Sequence, residues 1–455
     1  MTKSVNEREI VLAVLMEVTE KGAYSHLILR DVLDKYQYLD KRERAFITRV
    51  TEGTLEHMIE IDYILDQFSK VKVKKMKPVI RNILRSGVYQ LKYMDTVPDH
   101  AVCSEAVRLA ARKGFSGLRG YVNGVLRNTA RNLDQVKYPE EGLAALSVRY
   151  SCPEWILKLW QQDYEPDVIE AMLRDFQEEK PLVIRCCLNR ISPEKLTERL
   201  RAEGVTVTVH PYLPYALEIS GYDYLEGLES FREGLFAVQD VSSMLVAEIA
   251  DPGPDARVID VCAAPGGKAL HMAEKLEGTG YVDARDLTPR KVEMIRENIS
   301  RTGLENIGAK VQDAAVFDGE SEEKADIVIA DLPCSGLGVL GKKTDLKYKA
   351  SPEGTEALVH LQREILSCVQ RYVKPGGTLV YSTCTVDPAE NMDNVYWFLQ
   401  KYPEFRQDDI RGRLCPELRE DVQGEGCLQL LPGIHKTDGF FIAVMVRRKS
   451  GEIQK

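Results

Sequence analysis

From Gln239 to Arg447 the chain alternates short apolar runs with amphipathic stretches, a pattern that leaves few solutions other than a doubly wound parallel sheet. Strands are expected at Arg257–Cys262, Tyr281–Asp286, Ala309–Gln312, Asp326–Asp331 and Thr378–Ser382, with helices at Pro289–Thr302 and Thr355–Val373. Leu428–Leu431 and Phe440–Arg447 flank a loop and predict a hairpin at the edge of the sheet. Ligands of such a sheet sit beyond the carboxyl ends of its strands. The unusual polar residues of this segment fall there.

The first strand runs into Cys262-Ala263-Ala264-Pro265-Gly266-Gly267-Lys268 and then a helix. Two glycines allow close approach of a ligand to the backbone, and the helix start offers free N–H groups. Asp286, at the end of the second strand, is placed to hold two ribose hydroxyls, and Asp313, after the third, to accept from an adenine amino group. Asp331 ends the fourth. A P-loop is excluded, because Cys262 stands at its first glycine position and Ala269 at its last. The turn also lacks the glycine spacing that cradles a pyrophosphate. A ligand with ribose and adenine but no phosphates fits, namely S-adenosyl-L-methionine.

Asp331-Leu332-Pro333-Cys334-Ser335-Gly336 follows the fourth strand, and Tyr381-Ser382-Thr383-Cys384-Thr385 follows the fifth. These strands are neighbours in a doubly wound sheet, so both thiols should open into one cleft. Methylation at C5 of a pyrimidine needs such a thiol: C5 is a poor nucleophile until a thiolate adds to C6. A thiol at its ordinary pKa of about 8.5 is mostly protonated at neutral pH, so the site must assist. Lys268 is the candidate electrostatic helper, and Asp331 is the candidate to bind the cytosine edge and place a proton at N3. Residue chemistry alone leaves open which cysteine attacks. A nicotinamide dehydrogenase would share the ribose carboxylate and explain neither cysteine.

The first third is predicted all-helical over 1–135, with apolar residues at helical spacing in Glu9–Leu15, Ile47–Ile59 and Val79–Leu91. A linker near Asn132–Leu143 precedes a small α+β module over 150–235, and the alternating domain spans 236–447. The chain carries a net charge of −9, yet Lys70–Arg131 holds 14 basic and 3 acidic residues. That excess marks a polyanion surface, with Lys74, Lys75, Arg81 and Arg85 as candidate RNA contacts. Ten cysteines without a C-x-x-C pair argue against zinc, so no metal is expected. Neither a membrane span nor a signal segment is evident, which points to the cytoplasm.

Four of these segments, Cys262–Lys268, Asp331–Gly336, Tyr381–Thr385 and Thr437-Asp438-Gly439-Phe440-Phe441, resemble the motif series of the RNA cytosine-C5 methyltransferase family. Ile80–Leu91, Val97-Pro98 and Tyr121–Leu126 resemble the helical RNA-binding domain of the NusB antitermination factor. Together with the middle module they resemble the branch of the family that acts on 16S ribosomal RNA. A monomer is expected, although the sequence leaves the oligomeric state open; the resemblance implies Cys384 as nucleophile and Cys334 assisting product release. It also implies cofactor contacts from Cys262, Ala263, Ala264, Pro265, Gly266, Gly267, Lys268, Asp286, Asp313 and Asp331. Three departures stand out: Ala269 replaces a hydroxyl residue, Cys187-Leu188-Asn189 replaces the usual Arg-Val-Asn, and Arg285 replaces an apolar residue before Asp286.

Overall fold

The structure, a computed structural model, describes residues 6–449. The chain divides into two compact units, one comprising residues up to 178 together with 340–350, the other 179–339 and 351 onward.

The first unit is helical. Helices Glu7–Lys21, Lys41–Glu56, Pro78–Tyr93, Asp99–Arg112 and Arg119–Asn132 enclose a core that includes Leu15, Ile47, Leu55, Leu84, Val88 and Leu126. Asp40 and Glu43 form a reciprocal capping box that fixes where Lys41–Glu56 begins. Helices Glu154–Trp160 and Pro166–Asp175, expected with the middle module, instead pack in this unit, where Ile156, Leu157, Trp160, Ile169, Met172 and Leu173 are buried. Their apolar stripes need a helical partner, which explains the different division. The segment Leu340–Ala350 belongs here too. Asp345 accepts from the backbone N–H (3.1 Å) and hydroxyl (2.6 Å) of Ser25, and Lys347 donates to the carbonyl of Glu56 at 2.8 Å.

The second unit holds two sheets. Strands β1 (Leu182–Cys186), β2 (Thr206–Val209), β3 (Ala216–Ser220) and β4 (Phe236–Val238) form a small antiparallel sheet in the order β2-β3-β1-β4. The large sheet contains β5 (Arg257–Asp260), β6 (Tyr281–Asp286), β7 (Ile307–Val311), β8 (Ala325–Asp331) and β9 (Val373–Thr383). It also contains β10 (Phe405–Gln407), β11 (Val422–Gln423), β12 (Cys427–Leu430) and β13 (Phe440–Arg447). Its order is β11-β12-β13-β9-β8-β5-β6-β7, with β10 paired to β13. The parallel set β9-β8-β5-β6-β7 is the predicted doubly wound core. The predicted edge hairpin is corrected in one respect. β13 lies antiparallel between β9 and β12, and all but its last two residues are buried. An apolar run of Phe440–Met445 with both faces covered belongs inside a sheet.

Candidate active site

β8 and β9 are parallel neighbours with Asp331 opposite Ser382, so the loops that leave them emerge side by side. Cys334 and Cys384 meet there, with their sulfurs 3.2 Å apart. Both are free thiols, and the separation exceeds the roughly 2.05 Å of a disulfide. The backbone N–H of Cys384 also donates to Cys334 Sγ at 3.2 Å. The hydrogen bond with Cys384, and then burial, push the Cys334 thiol well above its ordinary range. Both side chains are half-buried, unlike Cys186, Cys187 and Cys427, which burial pushes up to about 12 and leaves as inert core thiols.

Asp331 has both oxygens held. Lys268 Nζ donates to Oδ2 at 2.8 Å and the Ser382 hydroxyl to Oδ1 at 2.8 Å. The Lys268 ammonium also lies 5.0 Å from the ring centre of Phe440. Lys268 thus neutralises and orients Asp331, where the sequence suggested direct help to a thiol. The Thr437–Phe441 motif has a backbone role as well. Gly439 N–H donates to Gly338 O at 2.8 Å, and a Cβ on Gly338 would come within 2.1 Å of Gly439 O. Only glycine lets these two chains touch.

At the cofactor end, Gly266 adopts φ +112°, in the left-handed region, and caps the helix Gly267–Lys275. Lys268 and Ala269 follow Gly267 in the helix's first turn, and Ala269 is buried with no hydroxyl to offer. Asp286 is buried at the end of β6. It accepts from the N–H of Ala264 at 3.0 Å and of Leu287 at 2.7 Å, and pairs with Lys291 at 3.0 Å. Arg285 does not disturb this register. It points to the opposite side of β6, where it pairs with Asp283 and Asp318 and lies over the Tyr372 ring. Asp313 is exposed and accepts from Ala315 N–H at 2.9 Å, which leaves the carboxylate at the rim. Cys262 is a half-buried thiol whose pKa is pushed far up by desolvation and by Asp260. Carboxylates end β6 and β8 and follow β7, the helix start supplies N–H groups, and the lysine on the turn is already paired. This donor set suits a ribose, an adenine and a positive sulfonium, and it offers little to a phosphate chain.

Asp260 was not singled out in the sequence. It ends β5 beneath the turn, 1% exposed, and neither carboxyl oxygen makes a hydrogen bond of ordinary geometry. Burial, and then the charge of Asp331, push its pKa up to about 8. A carboxyl group inside the apolar run Val258-Ile259-Asp260-Val261 was the available signal.

Of the proposed RNA contacts, Lys74 and Lys75 are exposed. Arg81 and Arg85 are not free. Arg81 pairs with Glu20 at 2.6 Å, and Arg85 makes two bonds to Asp62, at 2.7 and 2.6 Å. The arginine absent from the Cys187 segment is not replaced by its neighbour on β1. Arg185 on β1 is wholly buried, paired with Glu274 and donating to Gln239 at 2.8 Å. Among the described residues, no three His, Cys, Asp or Glu side chains are grouped to hold a metal ion, and no helix is long and apolar enough to cross a membrane.

Comparison with known proteins identifies the lineage. The family model for "16S rRNA methyltransferase RsmB/F" matches residues 247–446. The NusB family model matches 5–131, and that of an RsmF/B-like ferredoxin-like domain matches 152–222. The chain is 36% identical over 451 residues to "Probable ribosomal RNA small subunit methyltransferase B" of Bacillus subtilis, covering 99% of this chain and 100% of the relative. It belongs to the RsmB/F family. "Ribosomal RNA small subunit methyltransferase B" of Cronobacter sakazakii is 28% identical, covering 98% of this chain and 100% of the relative. Among solved structures, PH0851 superposes with a TM-score of 0.83 at 25% identity, covering 97% and 99% of the two chains. NSun6 from Pyrococcus horikoshii, solved with SFG, shares the fold over 66% of this chain and 99% of its own, with a TM-score of 0.57 at 23% identity. As in the rest of the RsmB/F family, the methyl donor is S-adenosylmethionine.

Proposed function

We propose that this protein methylates C5 of a cytidine in 16S ribosomal RNA through a covalent adduct between Cys384 and C6. The observation that carries this reading is the pair of thiols 3.2 Å apart, at the ends of adjacent strands and beside a fixed aspartate. Family membership supports the RNA class.

In this reading the two cysteines share one proton, which Cys334 holds. The Cys384 thiolate adds to C6, and the C5–C6 electron pair becomes available at C5. The Asp331 carboxylate accepts hydrogen bonds from the cytosine edge and stabilises a proton that N3 takes from solvent, which makes C6 more electrophilic; that proton returns to solvent when the C5–C6 double bond is restored. Bound S-adenosylmethionine supplies the sulfonium methyl group that C5 accepts. Attack turns Cys384 into a neutral thioether, which removes the first cause of the raised Cys334 pKa. Cys334 then loses its proton to solvent and takes the proton from C5. The C5–H electron pair restores the C5–C6 double bond, and the C6–S pair returns to Cys384.

Trapping with 5-fluorocytidine RNA tests the assignment. Cys384→Ala should lose both turnover and the adduct. Cys334→Ala should form the adduct and release product poorly. The opposite pattern would exchange the two roles, and no adduct from either variant or wild type would remove covalent catalysis. A ribosomal RNA fragment and a tRNA offered in parallel decide the substrate class.

A further inference from the structure

The two thiols come from loops 50 residues apart in sequence, and their spacing requires both loops to be held. We propose that the dipeptide Glu390–Asn391 is the positioning unit that sets this spacing, Glu390 acting on the Cys334 loop and Asn391 on the Cys384 loop. The inference rests on the reading in which Cys384 attacks and Cys334 releases.

Glu390 and Asn391 are both 0% exposed. The Glu390 carboxylate accepts from the N–H of Ser335 at 2.9 Å, from the Ser335 hydroxyl, and from Gln362 Nε2 at 2.9 Å. The same Gln362 amide donates to Pro333 O at 2.9 Å. Cys334 is therefore clamped through the residues on either side of it. Asn391 does the equivalent for Cys384. Its Oδ1 accepts from the Thr383 hydroxyl, and its Nδ2 donates to Thr385 O at 3.0 Å and to Gln429 Oε1 at 2.8 Å. The clamps are joined to each other. Ser335 Oγ lies 2.9 Å from Thr385 Oγ1, and the Tyr381 hydroxyl donates to Glu390 O.

Burying a carboxylate is costly unless several donors meet it, and three donors meet this one. An apolar residue would pack more cheaply in a purely structural role. What the carboxylate adds is acceptors for a main-chain N–H and a hydroxyl in the very loop that carries Cys334. Neither residue touches a substrate in this reading, so both act through the cysteines.

Glu390→Gln keeps the shape but offers one acceptor oxygen to three donors, so the Ser335 loop loosens while the Asn391 clamp stays. Methyl transfer in a single turnover should stay within about twofold, while product release slows at least about tenfold. Covalent protein–RNA adduct should then accumulate on ordinary, unfluorinated RNA. Asn391→Ala should do the reverse: adduct formation slows at least about tenfold and no adduct accumulates. Ser335→Ala removes one donor from the other end of the Glu390 clamp. It should repeat the release defect, and it carries the test if Glu390→Gln loses S-adenosylmethionine affinity through misfolding. Equal slowing of both steps in Glu390→Gln and Asn391→Ala, or no adduct in Glu390→Gln and Ser335→Ala, would overturn the inference. The parent reading is checked separately. If Cys384→Ala itself forms the adduct, the cysteine roles fail. If the cysteine variants behave as expected and the clamp variants do not, only the positioning role fails.

Discussion

Replacing Lys70, Lys74, Lys75 and Lys77 with glutamine separates the charge that RNA can use from the charge the fold has already used. All four are exposed, while Val73 and Met76 between them anchor the loop in the helical core. Among the described residues, no carboxylate pairs with Lys70, Lys74, Lys75 or Lys77. Each phosphate contact contributes a slope of about 0.7 to 0.9 in log affinity against log salt, so losing four should flatten the dependence by about 3. Over a fourfold rise in salt, the variant should lose roughly 50-fold less of its affinity than wild type does. Arg81 and Arg85 predict a different outcome. Their side chains are 18% and 10% exposed, and each faces its own carboxylate, so the pairs present almost no net charge to a ligand. Replacing both with glutamine should leave the slope unchanged and destabilise the helical unit. The partner carboxylates keep some access to water, at 22% for Glu20 and 30% for Asp62. The cost is therefore about 1–3 kcal/mol, below that of breaking a fully buried pair. Fluorescence anisotropy with a ribosomal RNA fragment across a salt series, paired with thermal unfolding, measures both. A slope that flattens equally in the two variants, or in the arginine variant alone, would refute this division of charge.

Arg185→Met should strip the buried Glu274 of its partner and cost about 3–5 kcal/mol, and adding Glu274→Leu should recover most of that loss. Denaturant unfolding measures both, and RNA affinity should stay constant; a stable Arg185→Met variant with weakened RNA binding would make Arg185 a ligand contact instead. For Asp260, a folded pKa of about 8 lies above the unfolded carboxylate value, so stability is fully present below about pH 4 and is lost as pH rises toward 8. Asp260→Asn removes that dependence, so its stability relative to wild type should rise by about 3 kcal/mol between pH 5 and pH 7; parallel stability curves for the two proteins would show that Asp260 titrates normally.

What the sequence revealed depended on how local the deciding contacts were. The turn at Cys262–Lys268 and the carboxylates at Asp286 and Asp331 could be placed because strand ends and helix starts are local, periodic signals. The meeting of Cys334 and Cys384 followed from one topological rule, the adjacency of β8 and β9. Arg81 and Arg85 looked like free charge because their partners, Glu20 and Asp62, lie 61 and 23 residues away. The insertion of β13 beside β9 was hidden for a related reason: a hairpin pattern identifies two strands but not the side on which they join a sheet. Glu390 and Asn391 were missed because a polar dipeptide after Pro388 reads as a surface turn. Nothing local tells that its two side chains face opposite loops of the interior.

The site's polar residues divide according to what they hold. Lys268 and Ser382 fix the two oxygens of Asp331, Gly338 and Gly439 fix the loop backbone beyond Cys334, and Glu390 with Asn391 fixes the residues flanking each thiol. In the proposed mechanism one thiol adds to a ring carbon and the second later reaches the neighbouring carbon, a task that flexible loops would serve poorly. Reacting atoms held near 3–3.5 Å, by contrast, recover much of the entropic part of a barrier. The 3.2 Å between the sulfurs shows that the loops hold the two thiols as immediate neighbours. Variants around the thiols should therefore alter the partition between adduct and product while leaving affinity for RNA, which the proposed lysine contacts would supply, unchanged.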